Sequence, residues 1–204
     1  MSRATGAPDG DPVAVGIRIK TGRAIAVALA GTADTPRFVA RCELLLHDPD
    51  DADSYQPWHA ALDQPPARAQ AIVARLTSVV YAAAERALAG LWRELAAAAA
   101  TPRGAGLVVA SRTDPATVRS AHLHAHAAEG RLFFDAVRSA LEQRRLAPLV
   151  LVEKTAAAEA ARLTGVPAKE LALAAAALRA TAGPPWRTEE RSAALAALAA
   201  LATR

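Results

Sequence analysis

A chain of 204 residues that is 52% apolar and 22% charged is long enough to bury a substantial core and too apolar for intrinsic disorder. A single cysteine, Cys42, excludes an internal disulfide framework and points to a reducing, cytoplasmic setting, while the lack of any apolar run near the roughly 18 to 20 residues that span a bilayer excludes a membrane helix. The net charge of +4, carried mainly by arginine, is compatible with contact to phosphate or nucleic acid and also with an Arg-rich, Ala-rich composition that serves no such partner.

Residues 1–11 hold Gly, Pro and Asp without an apolar signal core and read as a flexible N-terminal tail, leaving 12–204 as a single domain. Three strands are predicted over 13–20, 23–30 and 37–47. In the first, Val13, Val15, Ile17 and Ile19 alternate with Ala14, Gly16, Arg18 and Lys20, so Arg18 and Lys20 share a face expected to reach solvent. Thr21-Gly22 is a tight turn, and the short connections make an antiparallel meander. Cys42 reads as a small strand hydrophobe.

Residues 48–66 are predicted as a loop. Its acidic cluster, Asp48, Asp50, Asp51 and Asp53, lacks the glycine and terminal glutamate of a calcium loop and reads as a solvated face. Trp58-His59 is either simple packing or the lip of a pocket. Helical periodicity of Ile72, Leu76, Val79, Val80, Ala83, Leu88, Leu91, Trp92 and Leu95 predicts a long helix over 67–100, stopped by Pro102 and Gly104. The apolar run 106–110 is a buried parallel strand that ends at Ser111.

The most chemically dense segment follows, with His122, His124 and His126 ahead of Glu129. If it is helical, His122, His126 and Glu129 share a face; if it is extended, His124 and His126 do. Imidazole and carboxylate suit a divalent metal, with His122, His126 and Glu129 as its candidate ligands, yet the spacing matches no standard zinc motif. Proton transfer or anion binding by His124, His126 and Glu129 is a second reading, and hydrogen bonding at a helix start a third.

A helix over 131–144, a buried strand over 149–152 and the polar turn Glu153-Lys154-Thr155 come next, the last at the place where open α/β sheets bind ligands. Ala-rich helices cover 156–163 and 169–180. After the Gly183-Pro184-Pro185-Trp186-Arg187 break, Thr188 is the expected N-cap of a final helix, whose stripe of Ala194, Leu195, Leu198 and Leu201 should dock on the sheet.

This order of elements resembles the ribonuclease H-like fold and, within it, the RuvC-type and YqgF-type nucleases. Gly16-Ile17-Arg18-Ile19-Lys20-Thr21-Gly22 is similar to the first strand and turn, G-I-D-x-x-x-G, and Glu189-Glu190-Arg191-Ser192-Ala193 stands at the final-helix motif D-x-x-D-A. The resemblance implies a three-layer α/β fold with a mixed five-stranded sheet, three antiparallel strands then two parallel ones, flanked by Ala-rich helices. It also implies two-metal chemistry on carboxylates from the first strand, the fourth strand and the last helix. Here those positions hold Arg18, the carboxylate-free end Val109-Ala110-Ser111, and Ser192, with Glu189 alone retained.

The expectation is therefore a site without nuclease cofactors. Arg18, Lys20, Ser111, Lys154, Trp186 and Arg187 would bind a phosphate-containing ligand or nucleic acid, with Trp186 as a stacking surface. Alternatively, Arg18 pairs with Glu189 or Glu129. Other readings are a metal- or His-dependent hydrolase centred on residues 122–129, with Glu189 a further catalytic candidate, and a structural subunit forming a homo-oligomer through its Ala-rich helices.

Overall fold

The computed structural model describes residues 12–203; the predicted tail, residues 1–11, lies outside them. Strands β1 (Val13–Lys20), β2 (Arg23–Gly31) and β3 (Pro36–Leu45) form the expected meander. β4 (Pro102–Val109) and β5 (Leu149–Val152) extend it in parallel, giving one five-stranded sheet in the order β3-β2-β1-β4-β5. Gly22 turns β1 into β2 at φ 70°, a conformation that costs glycine little.

Two strand boundaries differ from expectation by more than one residue. β3 stops at Leu45 because the next two residues fold back onto the β1–β2 turn: the Leu46 amide donates to the Gly22 carbonyl at 2.9 Å, and His47 Nδ1 lies 2.8 Å from the same oxygen. β4 begins at Pro102, within the segment read only as a helix stop, where Pro102 pairs with Val13 ahead of a register shift.

Helices cover both faces of the sheet. α1 (Pro57–Ala61), α2 (Pro66–Ala97) and α3 (Ala121–Glu142) lie on one side; α4 (Ala156–Thr164), α5 (Ala168–Ala177), α6 (Arg179–Ala182) and α7 (Thr188–Ala202) lie on the other. α1 and the 3₁₀ turn Ala52–Tyr55 replace part of the predicted loop, and α5 and α6 divide the helix predicted over 169–180. Val13, Val15, Ile17 and Ile19 face α2 and α3 in one core, while Ala14 belongs to a second core with α7. Both faces of β1 are therefore buried, which corrects the expected solvent-facing side: Arg18 is 1% exposed.

The second core explains the alanine-rich sequence. A Cβ added to Gly16 would lie 1.8 Å from the Ala193 carbonyl oxygen, and one added to Gly106 would lie 2.5 Å from that of Ala196. α7 thus rests directly on the sheet through small residues, and the anticipated docking stripe of Ala194, Leu195, Leu198 and Leu201 is not the face against these glycines. The helix is buried almost all round, Ser192 to Leu201 being buried except for half-buried Leu195. Its first residue is Thr188 and its cap Arg187, whose backbone N–H donates to Glu190 Oε2 at 2.8 Å.

Candidate basic cleft and histidine cluster

Because β1, β4 and β5 run parallel to one another, their C-terminal ends open together beside α3, where a cleft of about 780 Å³ forms. Open α/β sheets bind ligands at such carboxyl ends. Among the described residues the lining includes Arg18, Lys20, Arg112, Arg131 and Arg138, with Glu153 as its single carboxylate. Ser111 and His126 also line it.

Arg18 does not pair with Glu189 or Glu129. Its guanidinium forms a two-point fork with Glu153, Nε to Oε1 at 3.0 Å and Nη2 to Oε2 at 2.6 Å, while Nη1 donates to the carbonyl of Ile19. Such forked contacts hold a carboxylate firmly, and here they anchor the exit of β5 to the middle of β1. Glu189 instead receives Lys20 at 3.3 Å and Arg23 at 2.9 Å. Partial burial alone would raise the Glu189 pKa, but hydrogen bonds and charge from Arg23 and Lys20 outweigh it, so the carboxyl titrates below its ordinary range.

Three expected ligand residues stand elsewhere. Trp186 is buried, donates Nε1–H to the Ala175 carbonyl at 2.8 Å and meets Phe38 edge-on at 6.2 Å, so it packs the core and offers no stacking face. Lys154 is exposed outside the cleft lining, and Arg187 lines a separate 330 Å³ cavity with Arg23, Arg41 and Glu189. Sequence reasoning missed Arg112, Arg131 and Arg138. The last two are seven residues apart on α3, a spacing that puts them on one helix face and could have flagged them.

The histidine segment is helical. His124 turns away to the Pro115 carbonyl, 2.9 Å from Nδ1, which separates it from the candidate set. His122 and His126 share an exposed face with Nε2 atoms 3.1 Å apart. The third member is His59 of α1, whose ring centre lies 5.0 Å from that of His122 and 4.5 Å from that of His126. Glu129 stands behind this group instead of within it. Wholly buried, it takes His59 through Nδ1 at 2.8 Å and through the backbone N–H at 3.2 Å, so it also satisfies the first turn of α1. Trp58, beside His59, packs against the core. The acidic cluster is tied to α2 by the Asp51–Arg75 and Asp48–Arg86 pairs.

A three-strand meander continued by two parallel strands, between helical layers, defines a ribonuclease H-like fold. Among solved structures the chain is similar to Thermus thermophilus RuvC in complex with a Holliday junction substrate, at 13% identity over 92% of this chain and 91% of that one, with a TM-score of 0.50. It is also similar to the T. thermophilus RuvC structure, at 13% identity, 92% and 91% coverage and a TM-score of 0.48. No protein-family model and no curated protein matches the sequence. Among the described residues, no helix is long and apolar enough to cross a membrane.

Proposed function

We propose that the protein is a non-catalytic member of the ribonuclease H-like fold that binds the phosphodiester backbone of nucleic acid in its basic cleft. The supporting observation is the lining, where among the described residues five Lys and Arg side chains meet one carboxylate; Arg18 is paired with Glu153, Lys20 with Glu189, and Arg131 and Arg138 share Asp135, so the uncompensated charge is that of Arg112. Arg112 adds most to that excess: it is exposed, donates only to the Val150 carbonyl, and has no carboxylate partner among the described residues. Guanidinium and ammonium groups gathered along one groove attract a polyanion independently of its sequence.

The same lining opposes two-metal hydrolysis. Magnesium is held by carboxylate oxygens, whereas the middle of β1 offers a guanidinium that already occupies Glu153. A fixed cation there repels magnesium. The solved T. thermophilus protein of similar fold is complexed with a Holliday junction, which makes branched DNA the first ligand to test.

Fluorescence anisotropy with labelled single strands, duplex and a four-way junction tests the reading. Binding should weaken linearly in log Kd against log salt, and Mg²⁺ should leave the DNA intact. No binding to any of the three at low salt contradicts the binding role; cleavage that requires Mg²⁺ contradicts the non-catalytic one.

A further inference from the structure

The histidines beside the cleft form a donor set that the basic groove does not use. His59, His122 and His126 can each present one ring nitrogen within 4.8 Å of the other two. Nε2 of His122 and Nε2 of His126 are 3.1 Å apart, close to the roughly 3.3 Å that separates two imidazole nitrogens on a tetrahedral zinc with bonds of about 2.0–2.1 Å. An i, i+4 histidine pair on α3 thus supplies two ligands, and α1 carries the third across to them.

The state of His59 distinguishes this arrangement from a simple surface cluster. Its Nδ1 is committed to Glu129 at 2.8 Å, which leaves Nε2 for any further partner. Among the described residues, that Nε2 is buried and without a hydrogen-bond partner, as is Oε2 of Glu129. Buried polar nitrogens are rarely left unpaired, and a buried carboxylate calls for positive charge close by. One cation held by Nε2 of His59 and by the α3 pair supplies both. The chain Glu129–His59–cation also reproduces the carboxylate–histidine–metal relay, in which the outer carboxylate fixes the ring's tautomer and strengthens its donor nitrogen.

We propose that His59, His122 and His126 bind one divalent transition-metal ion of the zinc class, with Glu129 as the positioning residue behind His59. Three neutral imidazoles leave a tetrahedral ion one open position, taken by water or an anionic oxygen. Since His126 also lines the 780 Å³ cleft, the histidine site borders the groove. The site stands on the histidines alone and holds whether or not nucleic acid binds.

The test uses the full, untagged chain stripped by chelator and titrated with Co²⁺, followed by visible absorption, and with Zn²⁺, followed by calorimetry. The expected result is saturation at a single ion per chain, with the visible bands of tetrahedral cobalt that Zn²⁺ then displaces. His122→Ala and His126→Ala, both at exposed positions, should abolish the bands while circular dichroism and thermal midpoint stay at the parent values. Glu129→Gln should weaken the affinity about 10- to 100-fold with the stoichiometry kept. Absence of stoichiometric Zn²⁺ binding at micromolar concentration overturns the site, as does unchanged affinity in the double variant His122→Ala/His126→Ala. Unchanged affinity in Glu129→Gln overturns the positioning role.

Discussion

Arg18 and Glu153 are joined by two hydrogen bonds of 3.0 and 2.6 Å across the sheet, with the arginine side chain 2% exposed and the glutamate 37% exposed. The asymmetry in burial has an energetic consequence. Removing the glutamate strands a guanidinium in the interior, whereas removing the arginine leaves a carboxylate that water can reach.

Glu153→Ala should therefore destabilise the protein more than Arg18→Met, by about 1–3 kcal/mol against about 1 kcal/mol or less, below the loss for a fully buried pair because solvent reaches one partner. Urea unfolding of both variants and the double variant measures this. A larger loss for Arg18→Met would show that the fork is not what compensates the buried charge.

Two glycine substitutions should act with opposite sign, one at the contact between Gly16 and α7 and one at the open position of Gly90 in α2. Gly16→Ala would drive a Cβ to within 1.8 Å of the Ala193 carbonyl oxygen, so α7 must move, at a cost of about 2 kcal/mol or more. Gly90→Ala, inside α2 with its nearest neighbouring atom at 3.9 Å, should instead stabilise by about 0.5–1 kcal/mol through helix propensity alone. Thermal midpoints of the two variants should shift in opposite directions.

How much of this was legible beforehand depends on whether the cause was local. The alternation of Val13, Val15, Ile17 and Ile19 located β1, and the run Leu149–Val152 located β5, because strand periodicity and burial are written in adjacent residues. The fate of the opposite face of β1 was not, since it is covered by Ala193 and Ala197 of α7 at the far end of the chain. The helical option for the histidine segment groups His122, His126 and Glu129; the structure puts the two imidazoles side by side but buries Glu129 behind them, and His59 joins through tertiary packing of α1 on α3 that no local pattern encodes. Trp186, expected from the fold resemblance as a stacking surface, instead turns inward because its indole N–H finds the Ala175 carbonyl in the core, a contact that no local pattern encodes.

Cys42 should be chemically quiet. Partial burial, reinforced by the charge of Glu94, pushes its thiol up to about 12, so the reactive thiolate is scarce at neutral pH although the side chain borders the 330 Å³ cavity. Iodoacetamide at pH 8 should leave the folded protein unmodified and label it once in denaturant, as read by mass spectrometry. Rapid labelling of the folded chain contradicts this.

Glu85 should make stability fall on the acid side. The hydrogen bonds from Arg144, at 2.8 and 2.6 Å, hold its carboxyl below the ordinary value despite some desolvation. With the folded pKa depressed, the unfolded chain takes up the proton first. The contribution is therefore present above the ordinary carboxylate pKa and is lost as pH falls through the folded one. Denaturation midpoints of the parent and Glu85→Gln should differ at pH 7 and converge below roughly pH 4. A difference that persists at low pH would mean the pair does not act through charge.

The most direct test of the basic cleft is the salt dependence of four-way-junction binding in Arg112→Ala, Arg131→Ala and the double variant. If these side chains contact phosphates, each substitution weakens binding and lowers the slope of log Kd against log salt by about 1, the double variant by about 2. Junction affinity and slope identical to the parent in all three variants would contradict the assignment of this cleft as the nucleic-acid site.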